Sequence, residues 1–288
     1  RRKSQPGYLH PEPLAWRHTR HADPLRTHGM VPLLRGWTTV QRTAQNNMRL
    51  GATLCFVAGA TNAGGFLAVG QYTSHMTGIV SSIADDLVLG QLTVAATGAF
   101  SLLAFVMGAM CTAVLVNWGF RHQLRSSYTL PLLLESAALL VFGLFGAALN
   151  SMASIFVPLT VVLLCFMMGL QNAVITKISK ADIRTTHITG LVTDLGIELG
   201  KLFYINRTPR ATRVLADRSR LRLQLILIGG FFTGGLVGAL GFKYGGYITT
   251  LPLAGLLWML CLRPLLDDVR RVAAMPVDTT PSQESDPR

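Results

Sequence analysis

Six long apolar runs follow one another along the chain, separated by more polar segments of differing length. A helix of about 20 residues crosses the hydrocarbon core of a bilayer. Five runs reach that length and the last is somewhat shorter, so the pattern predicts an all-α membrane protein with six transmembrane helices. The runs are Leu50–Val69, Thr93–Val116, Thr129–Leu149, Ile155–Thr176, Leu223–Phe242 and Tyr247–Leu262.

Two further stretches lie between these runs and combine aliphatic residues with acids and hydroxyls. The first, SHMTGIVSSIADDLVLG, covers Ser74–Gly90, and the second, TTHITGLVTDLGIELG, covers Thr185–Gly200. Both contain the sequence His-x-Thr-Gly-x-Val and continue with acidic residues. They are too polar for ordinary spans, so we predict two motif helices that are re-entrant or half-buried in the membrane.

The motif belongs to a longer internal repeat. LCFVAGATNA at residues 54–63 aligns without a gap with LCFMMGLQNA at residues 164–173. Leu-Pro-Leu recurs at residues 130–132 and 251–253, and the pair Gly108-Ala109 resembles Gly238-Ala239. The matches keep the same order, which predicts a duplication with repeat one at 49–150 and repeat two at 151–263.

The ends of the chain differ in character from this membrane domain at 49–263. Residues 1–48 are basic and contain proline, so we predict a mostly disordered extension. Residues 264–288 are polar and include Pro276, Pro281 and Pro287, which predicts a flexible tail.

The positions of Lys and Arg distinguish two topologies. If the motif helices do not cross the membrane, the halves are inverted and each has three spans. If they do cross it, the halves are parallel and each has four spans. With six spans and a cytoplasmic N-terminus, the Lys and Arg residues of the loops lie on the cytoplasmic side, except Lys243. With eight spans, Arg121 and Lys177 are among several that move outside. The positive-inside rule therefore favours the inverted 3+3 arrangement with both termini cytoplasmic, and the parallel 4+4 arrangement stays the alternative.

The overall composition is typical of a membrane protein and restricts the classes of partner that we expect. Half the residues are hydrophobic and only 14% are charged, against about 25% in soluble domains. The net charge of +12 is explained by cations beside membrane helices, and we predict that the basic run Arg207–Arg222 contacts anionic lipid head groups. That run lacks interleaved aromatic residues, so we expect no nucleic-acid partner. We expect no cofactor and no metal site, and homo-oligomerisation stays open.

The repeated boxes also resemble those of a known family. They are the segments Asn62–Leu67, His75–Gly78 and Thr186–Gly190, and the chain from about 45 to 270 is similar to the YoaK-like family of bacterial inner-membrane proteins. That family usually has an asparagine after the first box, where this chain has Ile79. The resemblance implies a multi-pass protein of the bacterial inner membrane and no defined activity.

Helical geometry places the polar residues of each motif on one face. At 100° per residue, His75, Ser82 and Asp86 share a face in the first motif, as His187, Asp194 and Glu198 do in the second. Ionisable groups inside a bilayer usually face a cavity or a partner. We therefore predict that the two stripes line a solute or ion pathway near the midplane, with a purely structural role as the alternative.

Small and hydroxyl residues complete the predicted pathway. These are Thr77 and Gly78 in the first motif, and Thr189 and Gly190 in the second; the glycines allow another backbone to come close. Asn62 and Asn172 occupy equivalent places in the repeat, where they either join helices by hydrogen bonds or line the pathway.

These observations favour a transporter or channel for a small solute or ion. Duplication and intramembrane polar residues are typical of transporters. A non-catalytic membrane assembly partner is the alternative. A membrane-embedded enzyme is a weaker one, because no known catalytic or metal-binding motif occurs, and we predict no catalytic residues.

Overall fold

The structure is a computed structural model. It describes residues 44–124, 127–149, 153–178, 187–205 and 213–273. Within these ranges the regular structure is entirely helical, which confirms the predicted all-α class. The helices are α1 (Ala44–Val69), α2 (Met76–Val88), α3 (Leu92–Arg121), α4 (Thr129–Leu149), α5 (Ala153–Ile178), α6 (Ile188–Phe203), α7 (Arg218–Gly245) and α8 (Thr250–Ala273), with a 3₁₀ turn at Gly246–Thr249.

Four stretches of the described chain are long and apolar enough to cross a membrane, and α4 contributes a shorter apolar helix, Thr129–Leu144. The motif helices α2 and α6 are not among them. They contain 13 and 16 residues, or about 20 and 24 Å of helix, against about 30 Å of hydrocarbon core. The four stretches are Met48–Val69, Leu92–Arg121, Val157–Ile178 and Arg218–Leu262, the last of which includes both α7 and most of α8.

Helices α1 and α7 run in the same direction and touch along their backbones. Gly234 lies against the carbonyl of Phe56, and one turn further on Gly238 lies against Ala60. In a membrane, helices associate through close packing of small residues because lipid removes most of the hydrophobic driving force. The glycines of α7 provide that close approach, since a side chain at either position would clash with the backbone of α1.

The contact between α3 and α5 repeats this arrangement. Gly108 of α3 lies against the carbonyl of Phe166, and Thr112 Oγ1 donates to the carbonyl of Leu170 at 3.0 Å. Because Phe166 is the repeat equivalent of Phe56, Gly108 occupies the place that Gly234 has on α7. The sequence match of Gly108 with Gly238 is therefore displaced by four residues, or about one helical turn.

Helices α4 and α8 run in opposite directions. Near the start of α4, the carbonyl of Thr129 accepts from Cys261 Sγ at 3.6 Å. Further along, Ser136 Oγ donates to the carbonyl of Ala254 at 3.1 Å. Successive contacts thus move forward on α4 and backward on α8.

A continuous apolar core joins the two repeats at the centre of the bundle. Leu54 of α1, Leu164 of α5 and Leu257 of α8 are fully buried in it. Gln171 of α5 donates from Nε2 to the carbonyl of Leu54 at 3.1 Å, so α1 and α5 are joined directly as well.

The helices extend further than the predicted domain boundaries. Helix α1 begins at Ala44, inside the predicted extension, whereas residues 1–43 lie outside the described residues. Helix α8 continues through Pro264 to Ala273, inside the predicted tail, because Leu265 and Val269 prolong the helical spacing of apolar side chains.

Candidate functional site

Each motif histidine stands at the start of its helix. His75 is the N-cap residue of α2 and His187 that of α6, and neither side chain makes a capping hydrogen bond. The chain before α2 is tied to α1, because Ser74 Oγ donates to Asn62 Oδ1 at 3.0 Å. Asn62 therefore contacts the chain just before the first motif helix.

The spacing of histidine and glycine within the box has a direct structural cause. A Cβ added at Gly78 would clash with the imidazole of His75, and a Cβ at Gly190 would clash with the imidazole of His187. Each ring thus folds back over the first turn of its own helix, where only glycine leaves room. We predicted that these glycines admit another backbone; the structure shows instead that the neighbour is the motif's own histidine.

The starts of both motif helices line one cavity of about 620 Å³. This volume is within the range of small-molecule sites, about 300–1,000 Å³. Helices α3 and α5 form its remaining walls. Its lining residues are Ser74, His75, Met76, Thr77, Phe105, Ala109, Ala113, Gly169, Asn172, Ala173, Thr176, Lys177, His187 and Thr189.

Asn172 stands in this wall, unlike its repeat equivalent Asn62. Its side-chain Nδ2 donates to the backbone carbonyl of Met168 at 3.0 Å, and its backbone carbonyl accepts from Thr176 Oγ1 at 2.6 Å. The two asparagines therefore have different surroundings: Asn62 holds a loop and Asn172 faces the cavity.

The acidic and serine positions of the predicted stripes lie away from this cavity. Ser82 is exposed and Asp86 half-buried on α2, and neither belongs to the cavity lining. Asp194 and Glu198 line a separate cavity of about 500 Å³ between α6 and α7. Of each stripe, only the end that carries the histidine enters the shared cavity.

Glu198 connects α6 to the start of α7. Its Oε1 accepts from Lys201 Nζ at 2.7 Å and its Oε2 from the backbone N–H of Asp217 at 2.8 Å. Asp217 is in turn the N-cap of α7, and its carboxylate accepts from the backbone N–H of Ser219 at 2.9 Å. This chain of contacts holds the far end of α6 against the first turn of α7.

The hydrogen bonds to Asp217 favour its charged form. The Ser219 hydroxyl donates at 2.6 Å, and the backbone N–H groups of Arg220 and Ser219 add to it. Together they lower the pKa of Asp217 below its ordinary value of 3.8. A charged carboxylate there also interacts favourably with the helix dipole of α7.

Lys177 is the charged residue of the described cavity lining, and sequence reasoning did not place it there. It was counted among the cations at the cytoplasmic end of the fourth apolar run. In the structure it lines the cavity, and its Nζ donates to Asn117 Oδ1 at 3.1 Å. The one available signal was its place five residues after Asn172 on the same helix, which does not by itself indicate a shared wall.

Among the described residues, no group of three or more His, Cys, Asp or Glu could hold a metal ion. The arrangement around His75 and His187 is instead a set of hydrogen-bond donors and hydroxyls around a cavity.

Long apolar helices, two short polar helices and a cavity between them define a multi-pass helical membrane protein. A family model described as protein of unknown function (DUF1275) matches residues 50–262, and the chain belongs to that family. It is 30% identical over 158 residues to the UPF0700 transmembrane protein YoaK of Bacillus subtilis (strain 168), covering 52% of this chain and 67% of the relative. No solved structure matches it significantly. The YoaK-like resemblance and the membrane location are thereby confirmed.

Proposed function

We propose that this protein is a transporter or channel whose pathway passes between the starts of the two motif helices. The observation that carries the proposal is the cavity shared by His75 and His187. Two segments far apart in the chain place the same residue type at one site. Such convergence is expected of a pathway built from duplicated halves.

The inverted 3+3 arrangement is our proposed topology. It requires α4 and α8, which are equivalent in the two repeats, to cross in opposite directions. A parallel 4+4 arrangement requires them to cross in the same direction. The antiparallel contacts of Thr129 with Cys261 and of Ser136 with Ala254 support the inverted form.

The directions of the short helices support re-entrant motifs. Ile83 of α2 lies beside Gly98, whereas the start of α2 shares the cavity with Phe105, so α2 runs antiparallel to α3. Phe105 is thirteen residues from Leu92, the start of α3, or about 20 Å along a core of about 30 Å. His75 thus starts its helix within the membrane, and α2 returns toward the beginning of α3.

Helix α6 has the corresponding geometry at the opposite face. It starts at His187 in the cavity and ends near the beginning of α7, where Glu198 binds the Asp217 backbone. In the inverted arrangement α3 begins outside and α7 begins inside. The two motif helices then enter from opposite sides and meet at their N-termini, as the broken helices of many transporters do.

We further propose a bacterial inner-membrane location with the described ends near residues 44 and 273 on the cytoplasmic side. At that side a groove of about 570 Å³ is lined by Leu202, Arg218 and Arg222, together with further aliphatic residues of α7. Arginines above an apolar surface suit an anionic lipid. Residues 207–212 of the basic run lie outside the described residues.

Flux through reconstituted vesicles tests the proposal. His75→Ala and His187→Ala are each expected to reduce solute flux strongly while the purified protein stays monodisperse. His122→Ala is the control, because His122 is exposed, lies against Trp118 with the two rings tilted, and is not part of the cavity lining. Unchanged flux in both cavity variants would contradict the pathway and favour the non-catalytic partner, whereas substrate turnover in detergent would favour an enzyme.

A further inference from the structure

We propose that the solute is a small anion, an inference that rests on the proposed function and names its substrate class. None of the described residues that line the cavity is acidic, whereas Lys177 stands in its wall. Within the described ranges Lys177 has the neutral amide of Asn117 as its hydrogen-bond partner and forms no salt bridge. Within those ranges, no acidic side chain of the cavity wall balances its positive charge.

Hydrogen-bond donors also converge on the cavity from two independent directions. The first N–H groups of a helix have no partner inside the helix. Neither His75 nor His187 caps its helix through the side chain, so the first N–H groups of α2 and α6 have no acceptor from the N-cap side chain. Each helix start also carries roughly half a positive charge from the helix dipole.

The side chains at these two helix starts extend the same chemistry. An imidazole presents at least one N–H donor in either charge state, and a threonine hydroxyl donates or accepts. Thr77 and Thr189 occupy equivalent positions next to the histidines in the cavity wall. The cavity thus combines a lysine, two imidazoles, two hydroxyls and two helix starts, a donor-rich set that suits an anion and disfavours a cation.

The remaining wall is built largely from small residues. Ala109 and Ala113 of α3 and Gly169 of α5 line the cavity together with Phe105. An anion entering here exchanges part of its water shell for fixed donors, and hydrogen bonds to a charged group are roughly twice as strong as those between neutral groups.

A light-scattering assay on proteoliposomes tests the substrate class. Vesicles are first shrunk osmotically by an external solute, and reswelling reports its entry. Potassium nitrate, chloride or formate with valinomycin tests entry of an anion, because valinomycin lets potassium follow. Urea tests entry of a neutral solute, and tetramethylammonium gluconate with a protonophore tests entry of a cation. At least one anion is expected to enter well above the protein-free rate, while urea and tetramethylammonium stay near it.

Three lysine variants make the test specific to the cavity. Lys177→Met is expected to lower anion flux about tenfold, the effect of losing one charge-assisted hydrogen bond, and Lys177→Arg is expected to keep most of it. Lys243→Met is the control, because Lys243 lies over the ring of Tyr244 at the far end of α7.

The possible outcomes separate this inference from the proposed function. Entry of urea or tetramethylammonium without any anion would overturn the anion assignment and leave the pathway standing. Anion flux that Lys177→Met leaves unchanged would overturn the role of the cavity charge. No flux of any solute would overturn the proposed function and this inference together.

Discussion

His75 and His187 line the same cavity, although they start different helices in different halves of the chain. Each imidazole folds back over a glycine three residues further on. The same local geometry, used twice, thus delivers two equivalent rings to one site. This relationship connects the repeat in the sequence with the proposed pathway.

The glycine that accommodates each ring gives the first prediction. In Gly190→Ala the new methyl group would occupy the position of the His187 imidazole, so the ring must rotate and flux should fall. Gly196→Ala is the matched control on the same helix, because no atom lies within 4 Å of its added Cβ. Vesicle flux at equal protein density measures both, and equal flux in the two variants would contradict the role of the histidine–glycine contact.

The close crossing of α3 and α5 gives the second prediction. A Cβ at Gly169 would meet the backbone of Phe105, which cannot move away as a side chain can. Gly169→Ala should therefore destabilise the protein by about 1–3 kcal/mol, the usual cost of overpacking. The measurement is thermal unfolding in detergent, with Gly255→Ala as control because its added Cβ meets nothing within 4 Å. A Tm for Gly169→Ala at or above that of the control would argue against this crossing.

The N-cap of α7 gives a pH-dependent prediction. Folding lowers the pKa of Asp217 below its ordinary value of 3.8. The charged carboxylate therefore stabilises the fold fully when the pH is above that ordinary pKa, and this contribution is lost as the pH falls through the lowered pKa. Asp217→Asn keeps an N-cap acceptor that does not titrate. Unfolding temperatures between neutral and strongly acidic pH should therefore fall less steeply in Asp217→Asn than in the wild type. Identical slopes would show that Asp217 has the same pKa folded and unfolded.

Topology gives the fourth prediction. In a background with the four native cysteines replaced, single cysteines at Gln91, Gln123 and Tyr244 are exposed to a membrane-impermeant maleimide from outside the cell. The inverted arrangement predicts labelling at Gln91 and Tyr244 and protection at Gln123. Labelling at Gln123 and Tyr244 with protection at Gln91 would instead establish the parallel 4+4 arrangement.

Much of the fold follows from the sequence because membrane helices are local. The six apolar runs predict helices from length and hydropathy alone, and five of them lie wholly within α-helices. The sixth, Tyr247–Leu262, begins in the 3₁₀ turn and continues in α8. The boundaries were harder to predict, since the polar composition of residues 264–288 suggested a tail where α8 continues to Ala273. The alignment of Gly108 was also harder, because only contacts with α5 show that its equivalent is Gly234 rather than Gly238.

The candidate site was predictable only in part. The repeated boxes indicated His75 and His187, because a recurring polar motif between apolar runs is unusual. Helical periodicity could not show that Glu198 binds the Asp217 backbone, since that contact depends on how the chain returns to α7. Nor could it place Lys177 in the cavity, because this depends on the position of α5 beside the motif helices.

The most direct measurement is a cross-link between the two motif helices. His75→Cys and His187→Cys are combined in the background without native cysteines, and the purified protein in vesicles is treated with a short bis-maleimide. His75→Cys with Asp194→Cys is the control pair, because Asp194 lines the other cavity. If the two histidines share one cavity, mass spectrometry of the monomer band should find the 75–187 linked peptides in clear excess over the 75–194 pair. Absence of the 75–187 link, or equal yields for both pairs, would contradict the shared site.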